Sequence, residues 1–250
     1  ILRHINFKMK DKVTLDILAF AAHPDDIELA ASGTVIKHIS MGKKVGVVDL
    51  TKGELGTRGT VQERTTEAAV SSKIMGLTTR VNLGLRDCFF DENEQDLLKI
   101  VEQIRRFNPK IVLCNAINDR HPDHSRASRL VSRACFLAGL QKIQSNFNGT
   151  PQVAFRPDAV YHYIQDRWVD PDFIVDVTAH YDKKIQSILA FKSQFFNPDS
   201  VEPDTPISSE GFIDYIKAKD MVLGRFINAK YGEGFTVERF FGVEDITKLK

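Results

Sequence analysis

Apolar and polar residues alternate along the chain in blocks that predict strands and helices in turn. Four blocks of strand length occur in the first half: Leu15–Ala22, Lys44–Leu50, Arg80–Leu83 and Ile111–Asn115. Four segments with helical spacing of apolar residues follow them: Asp26–Met41, Gln62–Met75, Glu94–Phe107 and a helix from Pro122 or Asp123 to about Leu140. This order predicts an α/β fold with a Rossmann-like, mostly parallel sheet and helices on both faces.

The alternation weakens after Gln141. A polar loop is predicted at Ser145–Pro157, and the remaining elements are three strands and two helices: Ala159–Ile164, Phe173–Val177, Thr236–Gly242, Tyr181–Lys192 and Glu210–Ile227. Three prolines predict an irregular segment at Asn197–Ser209, which is typical of a lid, a binding loop or a subunit contact. We therefore expect one domain over residues 1–250, with a core at about 12–180 and a C-terminal elaboration at about 181–250.

Composition narrows the class of protein. Among 250 residues, 42% are hydrophobic and 27% charged, and the net charge of +1 gives no reason to expect a nucleic-acid or membrane surface. No apolar stretch approaches the roughly 20 residues that span a bilayer, and no signal-peptide pattern is present. Residues 1–8 lack a Met, so we interpret them as a leader or added segment, with Met9 as the natural start. The three cysteines fit neither a disulfide framework nor a C-x-x-C zinc site, which favours reduced thiols in the cytoplasm: Cys88, Cys114 and Cys135.

Two related tetrapeptides follow two of the predicted strands. His23-Pro24-Asp25-Asp26 comes after the first strand, and His121-Pro122-Asp123-His124 comes after Ile111–Asn115. Ligands of open α/β sheets bind outside the carboxyl ends of the strands, so we expect both tetrapeptides to face one crevice. Imidazoles and carboxylates that converge in this way are typical of metal-dependent hydrolases.

The residue types suggest a role for each side chain. His23, Asp26 and His124 form a set of three zinc ligands that leaves one coordination position for water. Asp25 is then a carboxylate beside the metal, suited to take a proton from that water. His121, if protonated, stabilises a developing oxyanion or protonates a leaving amine. Asp123 is expected to orient His121 or to stabilise its charge.

Simpler interpretations of some of these residues stay open. Asp25 and Glu28 are three apart at a predicted helix start and so also fit a capping box. A single H-x-x-H is common by chance, whereas two metal-type motifs at two strand ends are not. Asp87 and Asp91 flank a short apolar bulge and receive no chemical role. The other histidines have no partner at ligand spacing and are interpreted as structural: His4, His38, His162 and His180.

The two motifs resemble those of a known family. A-H-P-D-D-x-E at residues 22–28, followed by H-P-D-H at residues 121–124, is similar to the LmbE-like, or PIG-L, zinc de-N-acetylases over nearly the whole chain. Further stretches are similar to the branch of that family in bacillithiol biosynthesis: residues 51–59, 191–195 and 231–235. The resemblance implies removal of an N-acetyl group from a glucosamine conjugate, and in that branch from N-acetylglucosaminyl malate.

The resemblance also implies the same assignment of the site. By position, the metal ligands of the family fall on His23, Asp26 and His124, its general base on Asp25, and its acid or electrophilic histidine on His121. The chain departs from the branch at Met221, where an arginine is expected.

A malate-bearing substrate needs a cationic partner, and Arg58 and Arg120 are the candidates. Either guanidinium can clamp a carboxylate through two hydrogen bonds. The alternatives are a solvated loop charge for Arg58 and a structural ion pair for Arg120. The glycine-rich segment Gly53–Gly59 around Arg58 lacks the Walker spacing, which excludes nucleotide hydrolysis.

The motifs predict a metal-dependent hydrolase, and the resemblance implies that it is a zinc-dependent N-deacetylase of a small amino-sugar conjugate. Two histidines favour Zn²⁺, with Fe²⁺ or Co²⁺ as alternatives, over Mg²⁺. The alternative functions are a deacetylase or amidase of another N-acetylglucosamine or thiol conjugate, and a catalytically inactive sugar-binding protein of the same fold. No nucleic-acid or membrane partner is expected, and Asn197–Ser209 is a candidate contact in a homo-oligomer.

Overall fold

The computed structural model describes residues 13–248, so the predicted leader, Met9 and His4 lie outside the described residues. The strands are β1 (Ile17–Ala21), β2 (Val45–Thr51), β3 (Thr79–Leu85), β4 (Ile111–Cys114), β5 (Asn146–Phe147), β6 (Thr150–Pro151), β7 (Ala159–Tyr163), β8 (Phe173–Asp176) and β9 (Gly232–Val237). The α-helices are α1 (Asp26–Ala30), α2 (Ser32–Ser40), α3 (Val61–Met75), α4 (Glu94–Phe107), α5 (Pro122–Ala138), α6 (Tyr181–Leu189) and α7 (Phe212–Phe226).

Seven of the strands form one sheet in the order β3-β2-β1-β4-β7-β9-β8. The five strands from β3 to β7 are parallel, and β9 runs antiparallel to both β7 and β8. The predicted α/β fold with a mostly parallel sheet is therefore confirmed. Strands β1 and β4 are direct neighbours, with Ile17 paired to Ile111, so the segments that follow these two strands leave the sheet side by side.

The sheet is covered on both faces because the side chains of β1 alternate between two cores. Leu18 and Phe20 belong to a cluster with apolar residues of α4 and α5. Ile17, Ala19 and Ala21 belong to a second cluster with apolar residues of α1 and α2. All five β1 side chains are buried, as expected of a central parallel strand.

The first predicted helix differs from the structure. The chain breaks at Ala31 (φ −142°, ψ 4°), so that Asp26–Met41 forms two helices instead of one. The capping-box interpretation is wrong, because Asp25 makes no side-chain hydrogen bond to the helix start. Glu28 is instead fully buried and accepts hydrogen bonds from Arg80 and Ser71, both at 2.7 Å.

The final strand begins four residues earlier than Thr236, the start expected from the sequence. Gly232 and Gly234 interrupt the apolar pattern there, and the structure leaves no room for a side chain at either position. A Cβ on Gly232 would lie 2.6 Å from Ile174 Cγ2, and one on Gly234 would lie 3.0 Å from Ile164 Cδ1. Because β9 lies between β7 and β8, the C-terminal region completes the main sheet.

The segment between α6 and α7, residues 190–211, contains neither helix nor strand, as the prolines of Asn197–Ser209 predict. The predicted polar loop at Ser145–Pro157 carries one small hairpin, β5–β6. Within residues 13–248, none of the helices combines the length and the apolar character that a membrane span requires.

Candidate metal centre

The two tetrapeptides meet at the carboxyl ends of β1 and β4. His23 and Asp26 follow β1, while His121 and His124 lie at the start of α5, which follows β4. The ring centroid of His23 is 4.7 Å from that of His121 and 5.6 Å from that of His124. One nitrogen from each of these three rings lies within 4.8 Å of the other two.

Asp26 adds a carboxylate to this cluster. Its Oδ1 lies 3.0 Å from His124 Nε2, and its Oδ2 lies 3.7 Å from His23 Nδ1. Asp26 thus contacts both predicted histidine ligands, one through each carboxylate oxygen. Among the described residues, the groups whose ligand atoms all lie within 4.8 Å of one another are His23 with His121 and His124, and His23 with Asp87 and Asp123. All three predicted ligands are at least nine-tenths buried.

Two carboxylates from other loops orient His23. Asp87 Oδ1 and Asp123 Oδ2 lie 3.2 and 3.3 Å from His23 Nε2, which leaves Nδ1 facing Asp26. Burial opposes protonation of His23, but the hydrogen bonds to Asp123 and Asp87 raise its pKa to about 10. The Asp123 carboxylate therefore contacts His23. The sequence predicts instead that it orients His121.

His124 has an orienting carboxylate of its own. Asp119 Oδ2 hydrogen-bonds Nδ1 of His124 and leaves Nε2 facing Asp26. Burial lowers the pKa of His124, but Asp26 and Asp119 outweigh this effect and raise it to about 9. A carboxylate behind each histidine is the arrangement that fixes the orientation of metal-bound imidazoles.

Two amide side chains fix the Asp26 carboxylate. Asn115 Nδ2 donates to Oδ2 at 2.9 Å, and Gln165 Nε2 donates to Oδ1 at 3.1 Å. Burial favours the neutral acid, but the neighbouring His124 and His23 hold the pKa of Asp26 well below its usual range. Asp26 is therefore an anion with a fixed orientation.

Asp25 has an unusual backbone conformation, with φ 129° and ψ −21°. Residues other than glycine adopt positive φ at a cost of about 1–3 kcal/mol, and such strain concentrates at functional sites. Arg64 holds this conformation, since its Nη2 donates to Pro24 O at 2.8 Å and to Asp25 Oδ2 at 3.2 Å. Burial raises the pKa of Asp25 to about 7 against the opposing charge of Arg64.

His121 differs from the other two histidines. As the residue that caps α5, it accepts the Asp123 backbone N–H through Nδ1 at 3.3 Å, which leaves Nε2 as the donating nitrogen. Burial and the charges of His23 and His124 lower its pKa. We therefore treat His121 as a neutral hydrogen-bond donor at neutral pH.

The charge of the cluster fits a divalent cation. Five buried carboxylates surround the histidines, whereas only two guanidinium groups of the described residues, Arg64 and Arg126, are in direct contact with them. The carboxylates are Asp25, Asp26, Asp87, Asp119 and Asp123. These carboxylates also raise the pKa values of His23 and His124, because they stabilise a positive charge on each imidazole. Imidazole and carboxylate donors in this arrangement suit zinc or another first-row metal.

The two candidate clamp arginines lie in different environments. Arg120 forms an ion pair with Asp166, and both side chains are partly exposed. This is the structural ion pair that we considered as the alternative to a substrate clamp. Arg58 is 3% exposed and lies 3.8 Å through Nε from Glu202 Oε2, so it is not a solvated loop charge. Of the two, Arg58 is the better placed to hold a ligand, because its Nε has no hydrogen-bond partner within the described residues.

Sequence reasoning missed several residues of the site. Asp87 receives no role from the sequence although it contacts His23, and Asp119 is not singled out although it lies five residues before His124. Asp119 had a usable signal, because a carboxylate close in sequence to a candidate histidine ligand can hydrogen-bond the second ring nitrogen of that histidine. Arg64 and Gln165 had none, since both reach the site only through the tertiary fold.

Comparison with known proteins shows that the segment with both tetrapeptides matches a known enzyme family. The sequence model of the PIG-L family, described as GlcNAc-PI de-N-acetylase, matches residues 18–135, which include both tetrapeptides. The uncharacterised deacetylase YaiS of Escherichia coli K12 is 29% identical over 125 residues, which are 48% of this chain and 67% of that protein.

Solved structures match over most of the chain. The conserved protein TT1542 from Thermus thermophilus is 33% identical, with a TM-score of 0.81 over 92% of this chain and 98% of that one. The N,N'-diacetylchitobiose deacetylase from Pyrococcus horikoshii shares the fold, with a TM-score of 0.75 at 23% identity over 94% of this chain and 88% of that one. The chain belongs to the PIG-L, or LmbE-like, deacetylase family.

Proposed function

We propose that this protein is a metal-dependent N-deacetylase that removes the acetyl group from a glucosamine conjugate. The observation that carries this proposal is the position of Asp25, a strained and buried carboxylate next to the ligand-type cluster of His23, Asp26 and His124. A sugar-binding protein has no need of a strained carboxylate at that point, and its cost in stability argues for a catalytic use.

The ligand residues His23, Asp26 and His124 would hold the cation. A bound Zn²⁺, Fe²⁺ or Co²⁺ supplies Lewis acidity for the amide carbonyl and lowers the pKa of a coordinated water toward about 7. Asp87, Asp119 and Asp123 keep the imidazoles in the required orientation. Asn115 and Gln165 do the same for Asp26.

Asp25 acts as the general base. It takes a proton from the attacking water while Arg64 keeps its carboxylate directed at the site. Nε2 of the neutral His121 donates a hydrogen bond to the oxyanion of the tetrahedral intermediate. The proton that Asp25 has gained is then available for the leaving amine, and the products are acetate and the free amine. Asp25 is thus preferred to His121 as the proton donor, because His121 is uncharged.

The substrate we propose is an anionic conjugate, N-acetylglucosaminyl malate in bacillithiol biosynthesis, in the cytoplasm. Support comes from the resemblance to that branch and from Arg58, a buried guanidinium with an unsatisfied Nε in the loop after β2. The test is acetate release by the metal-loaded protein from N-acetylglucosaminyl malate and from N-acetylglucosamine. A strong preference for the malate conjugate supports this substrate, and equal rates on both would leave a general N-acetylglucosamine deacetylase.

The role of Asp25 has a separate test. Asp25→Asn keeps the shape of the side chain and should lower kcat by about 10²–10⁴-fold, the range for loss of a general base. Metal content, measured by atomic absorption, should stay that of the parent protein. A variant with parental kcat would exclude Asp25 as the base, and no acetate release by the parent protein on any N-acetylated sugar would leave the sugar-binding alternative.

A further inference from the structure

Glu202 occupies the position at Arg58 that a substrate carboxylate would need. We propose that Glu202 is a specificity-determining residue, an internal carboxylate that pairs with Arg58 in the free enzyme and is displaced by the anionic group of the substrate. The inference rests on the proposed function for the substrate class, and it assigns a role to the irregular segment 197–209.

Arg58 is a buried cation with an incomplete set of partners. Its side chain is 3% exposed, and its Nε makes no hydrogen bond to any described residue. Glu202 Oε2 lies 3.8 Å from that Nε, which is close enough for an ion pair and too far for a hydrogen bond. An unsatisfied buried donor costs about 1–3 kcal/mol. A ligand oxygen that comes within hydrogen-bonding distance of Arg58 Nε would therefore bind more favourably than Glu202 Oε2 does.

The two carboxylate oxygens of Glu202 contact two different groups of the loop after β2. While Oε2 faces Arg58, Oε1 accepts the Gly59 backbone N–H at 2.9 Å. A carboxylate held by a guanidinium and a backbone N–H is the usual pattern for recognition of a small anion. The two donors together form what we call the anion seat, Arg58 Nε and Gly59 N.

The seat is rigid, whereas its occupant is loosely held. Gln194 Nε2 donates to Arg58 O at 2.7 Å, and Gly59 has φ +70° with Ser193 Oγ only 2.5 Å from where a Cβ would lie. Glu67 in turn accepts two hydrogen bonds from Ser193. Glu202 is by contrast 41% exposed at its side chain, next to a fully exposed Val201.

The anion seat lies on the loop that borders the candidate metal centre. Residues 52–60 connect β2 to α3, and Leu55 N in this loop donates to Asp87 Oδ2 at 3.0 Å, the same carboxylate that contacts His23. Arg64, which holds Asp25, also contacts Gly53 O at 3.4 Å. An anion in the seat is therefore attached to the same loop that positions the catalytic cluster.

The experiment uses Glu202→Gln in the metal-loaded protein, because glutamine keeps an acceptor for Gly59 N and removes only the charge. Binding of L-malate is measured by calorimetry, and acetate release is measured on N-acetylglucosaminyl malate and on uncharged methyl N-acetylglucosaminide. The matched control is Asp204→Asn, which removes the same charge from an exposed position of the same segment. We expect the Kd of malate and the KM of the conjugate to fall roughly twofold to fivefold in Glu202→Gln alone, the range for one half-exposed charged contact.

The ratio of kcat/KM for the anionic over the uncharged substrate should rise by the same factor. In the double variant Arg58→Met/Glu202→Gln this gain should vanish, because the cation that both carboxylates compete for is gone. Equal effects of Glu202→Gln and Asp204→Asn, or a gain that survives in the double variant, would overturn the proposal. Tighter malate binding without acetate release from any substrate would refute the proposed function alone, whereas acetate release with unchanged malate binding would refute the role of Glu202 alone.

Discussion

The candidate metal centre and a second cluster of buried charged side chains differ in how their charges are balanced. In the second cluster, which we call the lysine cluster, Lys184 Nζ lies 2.8 Å from Glu233 Oε1 and 2.7 Å from Asp220 Oδ2. Glu233 also accepts the backbone N–H groups of Gly33 and Thr34, at 2.9 and 2.7 Å. The helix break at Ala31 frees these N–H groups from intrahelical partners, so that the carboxylate caps α2.

The candidate metal centre is built on the opposite principle. Its carboxylates converge on histidines, and its cations, Arg64 and Arg126, bind at the periphery through Asp25 and Asp123. The lysine cluster has two buried cations, Lys184 and the neighbouring Lys219, for its two carboxylates, whereas the candidate metal centre has more carboxylates than cationic side chains of lysine or arginine. Burial of charge alone therefore does not distinguish the two clusters, whereas the balance of their charges does.

The largest effect expected is that of His124→Ala. Loss of one ligand should release the metal and lower kcat/KM by at least about 10³-fold, since Lewis-acid activation contributes several kcal/mol. Metal content after gel filtration and acetate release give the two readouts. The control is His162→Asn, which alters a buried histidine outside the centre. Stoichiometric metal in His124→Ala would exclude His124 as a ligand.

Lys184→Met should act on stability instead. It leaves Glu233 and Asp220 buried without the cation that contacts both of them, and loss of one partner of a buried pair costs about 3–5 kcal/mol. Urea unfolding followed by circular dichroism measures this loss. The double variant Lys184→Met/Glu233→Gln should recover part of it, because one of the unpaired charges is gone. A stability loss below about 1 kcal/mol in the single variant would contradict the balance described for this cluster.

A smaller effect is expected of Asp119→Asn. The amide can still hydrogen-bond His124 but removes the charge behind it, and loss of such a partner lowers metal affinity about 10–100-fold. Competition with a chelator measures the affinity, and Asp166→Asn is a control that removes a carboxylate in contact with Arg120 instead. An unchanged metal affinity would show that the orientation of His124 does not depend on Asp119.

The smallest effect concerns His162, a buried histidine that belongs to neither cluster. Burial opposes its protonation, but Cys114 and Glu238 raise its pKa to about 11. Because the pKa is about 6.5 in the unfolded chain, the stabilisation is complete below about pH 6.5 and is lost as the pH rises toward 11. Between about pH 7 and 8 the free energy of unfolding should fall by up to about 1.4 kcal/mol more in the parent protein than in His162→Gln. Parallel pH curves for the two proteins would contradict the raised pKa.

The candidate metal centre and the lysine cluster also differ in how far the sequence could predict them. His23, Asp25 and Asp26 lie within four residues of one another and directly follow a strand, so local pattern places them at the edge of the sheet where ligands bind. The lysine cluster assembles residues from α6, α7 and β9, which no spacing rule brings together. For the same reason the contacts of Asp87 with His23 and of Arg64 with Asp25 could not be predicted from the sequence.

The misplaced final strand has a different cause. Gly232 and Gly234 give no apolar signal, and they are required because β8 and the loop after β7 pack directly on their backbone. The break at Ala31 was equally hidden, since the apolar spacing of residues 26–41 continues through it. Hydrophobic periodicity reports which face of an element is buried and is insensitive to a kink or to close backbone packing.

The backbone of Asp25 suggests how this protein responds to selection for thermal stability alone. At φ 129° glycine is the residue with the least strain, so Asp25→Gly relieves the backbone, but it also leaves the buried Arg64 guanidinium without its carboxylate partner. A screen that scores only folding would therefore weigh relief of backbone strain against an unpaired buried guanidinium, and would give no weight to the carboxylate that the chemistry proposed above requires at this position. Any stabilisation programme for this enzyme has to hold residue 25 fixed and seek its gains elsewhere, for example on the exposed face of α7.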